Sequence, residues 1–143
     1  MGYHRLRLGR VSLQGQVYHI VTTTRERTPA FSDFYQARIA IRVLMDEDRL
    51  GKVSTLAFVL MPDHLHWLLQ LEDDVDIAQV VGRVKSLIAR RCGGALWQSG
   101  FYDHALRKEE DVAAVARYIV ANPLRAGLVS KLGDYSHWDA VWV

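Results

Sequence analysis

Met61-Pro62-Asp63-His64-Leu65-His66-Trp67-Leu68-Leu69-Gln70-Leu71 is the stretch that decides the fold. Met-Pro-Asp is a turn signal, and the apolar run behind it reads as a buried strand. Side chains two apart in a strand project to the same face, so His64 and His66 stand side by side while Leu65 points the other way. Two neutral imidazoles on one sheet face are half of a divalent-metal site. A third ligand and a reactive group have to come from elsewhere in the chain.

Immediately upstream, Val53 to Leu60 reads as a second strand, so near that an antiparallel hairpin is the natural connection. Before it, Phe34 to Arg49 is expected as a helix, with Ser32 or Asp33 as N-cap, Ala37, Ile41, Leu44 and Met45 as its apolar stripe, and Gly51 ending it. Val17-Tyr18-His19-Ile20-Val21-Thr22-Thr23-Thr24 is β-branched and reads as the first strand, with His19 as a packed sheet histidine. Downstream, Ile77 to Arg91 reads as a helix that buries Val80, Val81, Val84, Leu87 and Ile88 and leaves Arg83, Lys85, Arg90 and Arg91 outside. A third helix is expected from about Val112 to Ala121, halted by Asn122-Pro123. The order β-α-β-β-α-(β)-α fits a ferredoxin-like split βαβ, an α/β sandwich with a mainly antiparallel sheet. With no repeat or linker, residues 1–143 read as one domain with a basic arm over 1–16 and an aromatic tail over 130–143, which either packs back on the sheet or grips a ligand.

Composition narrows the function classes. Cys92 is the lone cysteine, so a disulfide framework and a cysteine zinc site are excluded. No apolar run is long enough to span a bilayer and no secretory segment opens the chain, so a soluble cytoplasmic, nucleoid-associated protein is expected. Net charge is only +2, but the basic residues comprise 14 Arg against 4 Lys. Arg suits bidentate contacts with phosphates and base edges, although codon bias gives the same skew. Arg5, Arg7 and Arg10 form a basic arm that could track a nucleic-acid backbone or be solvated charge. The segment Leu96 to Arg107 mixes Trp97, Phe101 and Tyr102 with Asp103, His104 and Arg107, a blend that suits single-stranded nucleic acid but, taken alone, better suits an aromatic loop on the core, since large aromatics mostly bury.

On the third helix, Tyr118 and Asn122 are four apart and share a face. Two imidazoles and an amide oxygen would leave a metal with open positions, where it can polarise a phosphodiester, and a phenol aimed at that phosphate is a nucleophile. The His-hydrophobic-His motif, the single downstream tyrosine, the segment from Trp97 to Arg107 and the run Tyr118-Ile119-Val120-Ala121-Asn122-Pro123-Leu124-Arg125-Ala126-Gly127-Leu128-Val129 together resemble the REP-associated tyrosine transposases, a branch of the HUH single-tyrosine superfamily. The resemblance spans about Tyr18 through Val129.

It implies His64 and His66 as ligands of Mg²⁺ or Mn²⁺, Asn122 as the third ligand, and Tyr118 as the nucleophile that forms a 5′-phosphotyrosine and releases a 3′-hydroxyl. It implies single-stranded DNA folded into palindromic hairpins as substrate, read with a guide tetranucleotide, and a monomer in preference to a dimer. Charge and position suggest DNA contacts at Arg5, Arg7, Arg10, Arg25, Arg27, Arg83 and Lys85, with Trp97, Phe101, Asp103, His104 and Arg107 near the cleavage point. Two other classes stay in view: a palindrome-binding protein that no longer cuts, and a water-using metallophosphoesterase in which Tyr118 is a core residue. Spacing alone also leaves Zn²⁺ open at the histidine pair.

Overall fold

The computed structural model describes residues 15–71, 75–107 and 111–140, so Arg5, Arg7 and Arg10 lie outside the described residues. The elements are β1 (Val17–Thr23), α1 (Phe34–Arg49), β2 (Val53–Met61), β3 (His64–Leu71), α2 (Ile77–Arg91), β4 (Tyr102–Ala105), α3 (Val112–Val120), α4 (Asn122–Arg125) and β5 (Trp138–Ala140). The sheet order is β4-β1-β3-β2-β5, with every neighbouring pair antiparallel. The first four strands are the expected split βαβ. β3 separates β1 from β2, β1 separates β3 from β4, and α1 and α2 make the two crossovers between parallel partners.

Local chemistry sets the element ends. The Asp33 carboxylate accepts from the amides of Tyr35 and Gln36 and caps α1, while Asp111 caps α3 by accepting from Ala114 N. Gly51 takes φ +81 just after α1, where a Cβ would be strained. Met61 pairs with His64, so Pro62 and Asp63 alone turn the β2–β3 hairpin. The third helix ends at Val120, and Pro123 sits in the first turn of the short α4, where its missing N–H costs little.

Helices cover the two sheet faces unequally. On one face α1 and α2 pack Ala37, Ala40, Val43, Val80, Val81, Val84 and Ile88 against Tyr18, Ile20, Leu65, Trp67, Leu69 and Leu71. On the other, α3 sets Val112, Ala116, Ile119 and Val120 on Val17, Ala57, Val59, Met61 and Leu68. The α1 stripe is rotated from its expected position: Ala40, Val43 and Glu47 are buried, Ile41 is half-buried and Met45 is exposed. The aromatic tail packs back on the sheet. Trp138–Ala140 pairs with β2, Leu60 N donates to His137 O, and the Tyr135 hydroxyl donates to Leu60 O at 2.5 Å.

Glu47 explains part of that rotation. Its side chain is 2% exposed between α1 and α2, and its carboxylate is paired with Arg83, which bonds it through Nε at 3.3 Å and through Nη2. A buried carboxylate that loses its partner is costly. Arg83→Met should therefore lower stability by about 2–3 kcal/mol, discounted for the partial exposure of the guanidinium. A urea titration reads this as a lower midpoint at unchanged slope. Adding Glu47→Leu should restore most of the loss, and an unchanged midpoint in Arg83→Met would show that the pair is not structural.

Candidate active site

Strand parity places the histidines. Leu65, Trp67, Leu69 and Leu71 belong to the α1–α2 core, and Leu68 to the α3 core, so His64 and His66 share the face that α3 covers in part. Across the sheet, Val21, His66, Val59 and Trp138 form one row, and Thr23, His64 and Met61 form the next. Both imidazoles are partly buried, with ring centroids 5.0 Å apart and planes edge to face.

Each ring is held through Nδ1. His64 Nδ1 lies 2.7 Å from Asp63 Oδ1, and His66 Nδ1 lies 3.0 Å from His19 Nε2. An ionised carboxylate only accepts, so Asp63 fixes the His64 proton on Nδ1 and leaves Nε2 with a free lone pair. Asp63 is itself braced. Arg27 Nε donates to Asp63 Oδ2 at 3.1 Å, and Thr24 donates to Asp63 O through both its amide, at 2.9 Å, and its hydroxyl, at 3.1 Å. To reach this position the chain takes left-handed φ at two non-glycine residues, Glu26 (φ 52) and Arg27 (φ 54). Bonds from Thr24 Oγ1 to Thr28 O and from Thr28 N to Arg25 O hold that strained turn.

The electrostatics favour neutral His66 and His19 and a charged Asp63. Burial, followed by the neighbouring His64, His19 and Arg125, pushes His66 down to about 3. Burial and then His104 lower His19. For Asp63 burial works to raise the pKa, but the bond with His64 and the charge of Arg27 outweigh it and leave the carboxyl below its ordinary value. A neutral His66 is in the protonation state that an imidazole needs before it can bind a metal.

Tyr118 and Asn122 stand on the α3–α4 segment. Tyr118 is 64% exposed, and the Arg125 guanidinium lies 3.8 Å from its ring centroid while donating to Tyr118 O at 2.7 Å. Arg125 is also the last of the influences that lower His66, after burial and the two neighbouring histidines. Asn122 Nδ2 donates to Ile119 O at 3.0 Å, leaving Oδ1 as the group able to face a cation.

The remaining expected residues are dispersed. Arg83 pairs with Glu47, and Lys85 donates to the carbonyls of Gln98 and Gly100, so both are engaged within the α1–α2 layer. Trp97 donates from Nε1 to Lys85 O and packs its ring 5.6 Å from Phe31, while Phe101 packs on the same core. His104 pairs with His19 across β1–β4 and so shares the histidine face, whereas Asp103, opposite Ile20, points to the other face. Arg25, Arg27 and Arg107 are exposed. Four residues here had no individual site role in the sequence reading: His19, read as a packed sheet histidine, Asp63, Arg125, and Tyr102, which is 56% exposed and edge-on to His19 at 6.0 Å. Alternation along the first strand could have placed His19 on a face with the pair only once the strand register was known.

Fold and site define a class: a ferredoxin-like sheet whose central strand carries two histidines on one face, with a tyrosine on the helix that covers part of it. The sequence profile described as "Transposase IS200 like" matches residues 12–122. The chain belongs to that family of transposases. Among curated proteins it is similar to the REP-associated tyrosine transposase of Escherichia coli (strain K12), at 27% identity over 123 residues, covering 85% of this chain and 73% of that one. Among solved structures it is similar in fold to a REP-associated tyrosine transposase bound to a REP hairpin, with a TM-score of 0.78 at 23% identity, covering 91% of this chain and 79% of that one. The resemblance read from the sequence motifs and the expected fold class are both borne out. Among the described residues no helix is long and apolar enough to cross a membrane.

The burial of His66 carries a pH signature. Below pH 6.5 the unfolded chain takes up a proton that the folded His66 refuses until about 3, so this group's contribution to stability is lost as pH falls through that window. An NMR titration of the ring carbons should keep His66 neutral to about pH 4. Protonation near 6.5, the value of a free imidazole, would overturn the described environment.

Proposed function

We propose that this transposase is a metal-dependent transesterase that nicks and rejoins single-stranded DNA folded into palindromic hairpins. The observation that carries the reading is the paired placement of His64 and His66 on one sheet face, His64 held through Nδ1 by Asp63, with the exposed Tyr118 on the helix that covers part of that face. The hairpin as partner rests on the relative whose structure is described as bound to a REP hairpin. The guide tetranucleotide, a monomeric state and a nucleoid-associated cytoplasmic location belong to the same proposal.

The donor set fits a divalent ion. Two neutral imidazoles and the Asn122 amide oxygen are three ligands, and Mg²⁺ or Mn²⁺ accepts such a set when water and phosphate oxygens complete the shell. Among the described residues no group of three or more His, Cys, Asp or Glu side chains is arranged to hold a metal, so the site depends on the amide and on substrate. Bound there, the ion would act as a Lewis acid on the scissile phosphate and offset the charge that develops.

The chain's own residues do the rest. The exposed Tyr118 phenol attacks phosphorus as it loses its proton, a bond from Tyr118 Oη to the 5′-phosphate forms, and the 3′-oxygen leaves as a hydroxyl. The phosphotyrosine conserves the bond energy, so attack by a 3′-hydroxyl reverses the step without ATP. Arg125 orients the ring and supplies positive charge beside the phosphate. Arg25, Arg27 and Arg107, all exposed, are available to the DNA backbone, and Tyr102 offers a stacking surface on the histidine face.

A palindromic oligonucleotide from the source genome, incubated with Mn²⁺ or Mg²⁺ and run on a denaturing gel, tests this reading. The expected result is a protein-linked DNA band that needs metal and disappears in Tyr118→Phe, a loss of at least about 10³-fold in cleavage, with hairpin binding retained. Cleavage that survives in Tyr118→Phe would establish a water-using phosphoesterase. A native-gel shift with no covalent band under any metal would leave a hairpin-binding protein and sink the enzymatic reading.

A further inference from the structure

His19 lies outside the His-x-His motif, yet its ring sits against that of His66. In the β1–β3 register His19 faces Leu68 and Val21 faces His66, so the two histidines are diagonal neighbours on one face. Their centroids are 5.2 Å apart with planes inclined by 26°, and Nε2 of His19 is 3.0 Å from Nδ1 of His66. One hydrogen lies between the two nitrogens, and its ownership has a consequence. If His66 donates from Nδ1, its Nε2 carries a lone pair. If His19 donates, the His66 proton sits on Nε2 and blocks ligation there.

The companion ligand has the matching arrangement with the ambiguity removed. The Asp63 carboxylate cannot donate, so His64 must carry its proton on Nδ1. Behind His66 the same place is taken by a group that can accept only if its own proton is on Nδ1. We infer that His19 is a positioning residue, a neutral acceptor that holds His66 in the Nδ1–H tautomer with Nε2 presented to the metal. This inference rests on the metal reading of the site above, and it assigns to His19 the task that Asp63 performs for His64. An imidazole suits this place. Its ring meets that of His66 edge to edge along the hydrogen bond, and unlike a carboxylate it adds no second negative charge beside the DNA.

Two readouts on the full chain test it. The first is the tautomer of His66 in the metal-free protein, read from ¹⁵N shifts of labelled histidine. The second is the Mn²⁺ dissociation constant, read by electron paramagnetic resonance, for wild type, His19→Phe and His19→Gln. Glutamine can place an amide oxygen near the position of Nε2 and accept in its stead, whereas phenylalanine keeps an aromatic ring there and removes the acceptor. The expected result is a dominant Nδ1–H form of His66 in wild type and in His19→Gln, lost in His19→Phe. Mn²⁺ binding should weaken by about 10- to 100-fold in His19→Phe and by no more than about threefold in His19→Gln. Thermal unfolding of each variant identifies a change that is merely a loss of fold.

An unchanged tautomer with Mn²⁺ binding within about twofold of wild type in a folded His19→Phe protein overturns the inference. Equal loss of binding in both variants also overturns it, since His19 would then be a ligand. If wild type itself binds no Mn²⁺, the metal reading of the site fails, and the tautomer of the metal-free protein still decides whether His19 sets the state of His66.

Discussion

The alternation of β3 is the constraint on which the rest of the structure depends. This strand is central, paired on both sides, and has both faces in use. Its odd-numbered residues Leu65, Trp67, Leu69 and Leu71 are fully buried under α1 and α2, and that burial leaves the strand no freedom to slip. A shift by one residue would drive the imidazoles into the larger core and bring Trp67 out. The hydrophobic effect on one face therefore fixes the aim of the polar groups on the other. The Trp67 indole adds a directional lock by donating from Nε1 to Thr55 Oγ1 at 2.8 Å.

β2 has to solve a parity problem to serve the same site. Val53 and Thr55 stand opposite Leu71 and Leu69, yet Ala57 stands opposite Leu68, because the register shifts between Thr55 and Ala57. Leu56 is the extra residue of that bulge, and it moves every later side chain of β2 to the other face. Val59 and Met61 consequently wall the histidines with apolar surface, while Phe58 and Leu60 return to the α1–α2 core. Without the bulge, Phe58 and Leu60 would stand opposite His66 and His64, and Val59 and Met61 would face the α1–α2 core instead.

Most of the frame was legible because its signals are local. The helices Phe34–Arg49 and Ile77–Arg91, the two-residue hairpin and the split βαβ order all follow from period, caps and a proline turn. The α1 stripe was misplaced since a buried glutamate paired with Arg83 cannot be recognised from its residue type, and such a partner lies on another helix. The leucine bulge in β2 carries no glycine to mark it, and the short β5 became a strand only by pairing with β2. At the site the motif residues His64, His66, Tyr118 and Asn122 were visible as spacing. Their supports were not, because Asp63 and Arg125 look like a turn residue and a loose charge until the fold brings them to a ring. Aromatic content pointed first to the core, where Trp97 and Phe101 do pack, while the exposure of Tyr102 on the histidine face became visible only with the register of β4.

The two halves of the site are built for opposite needs. A metal-binding imidazole must keep a lone pair at neutral pH, and partial burial supplies this for His66 by making its charged form costly. Buried rings are also fixed rings, which suits ligands whose geometry must not vary. Under the proposed mechanism, the nucleophile attacks a polyanionic strand and cannot be buried in that way, since the DNA has to reach it, and the exposure of Tyr118 on a separate helix meets that need. Exposure alone would leave its ring free to wander. Arg125 limits that freedom from the far side of the Pro123 break, stacking on the ring and bonding the backbone of the same residue. Under the proposed mechanism, this division holds the ligands still while the tyrosine, loaded with DNA, exchanges one strand end for another, which is the demand that cleavage followed by rejoining makes.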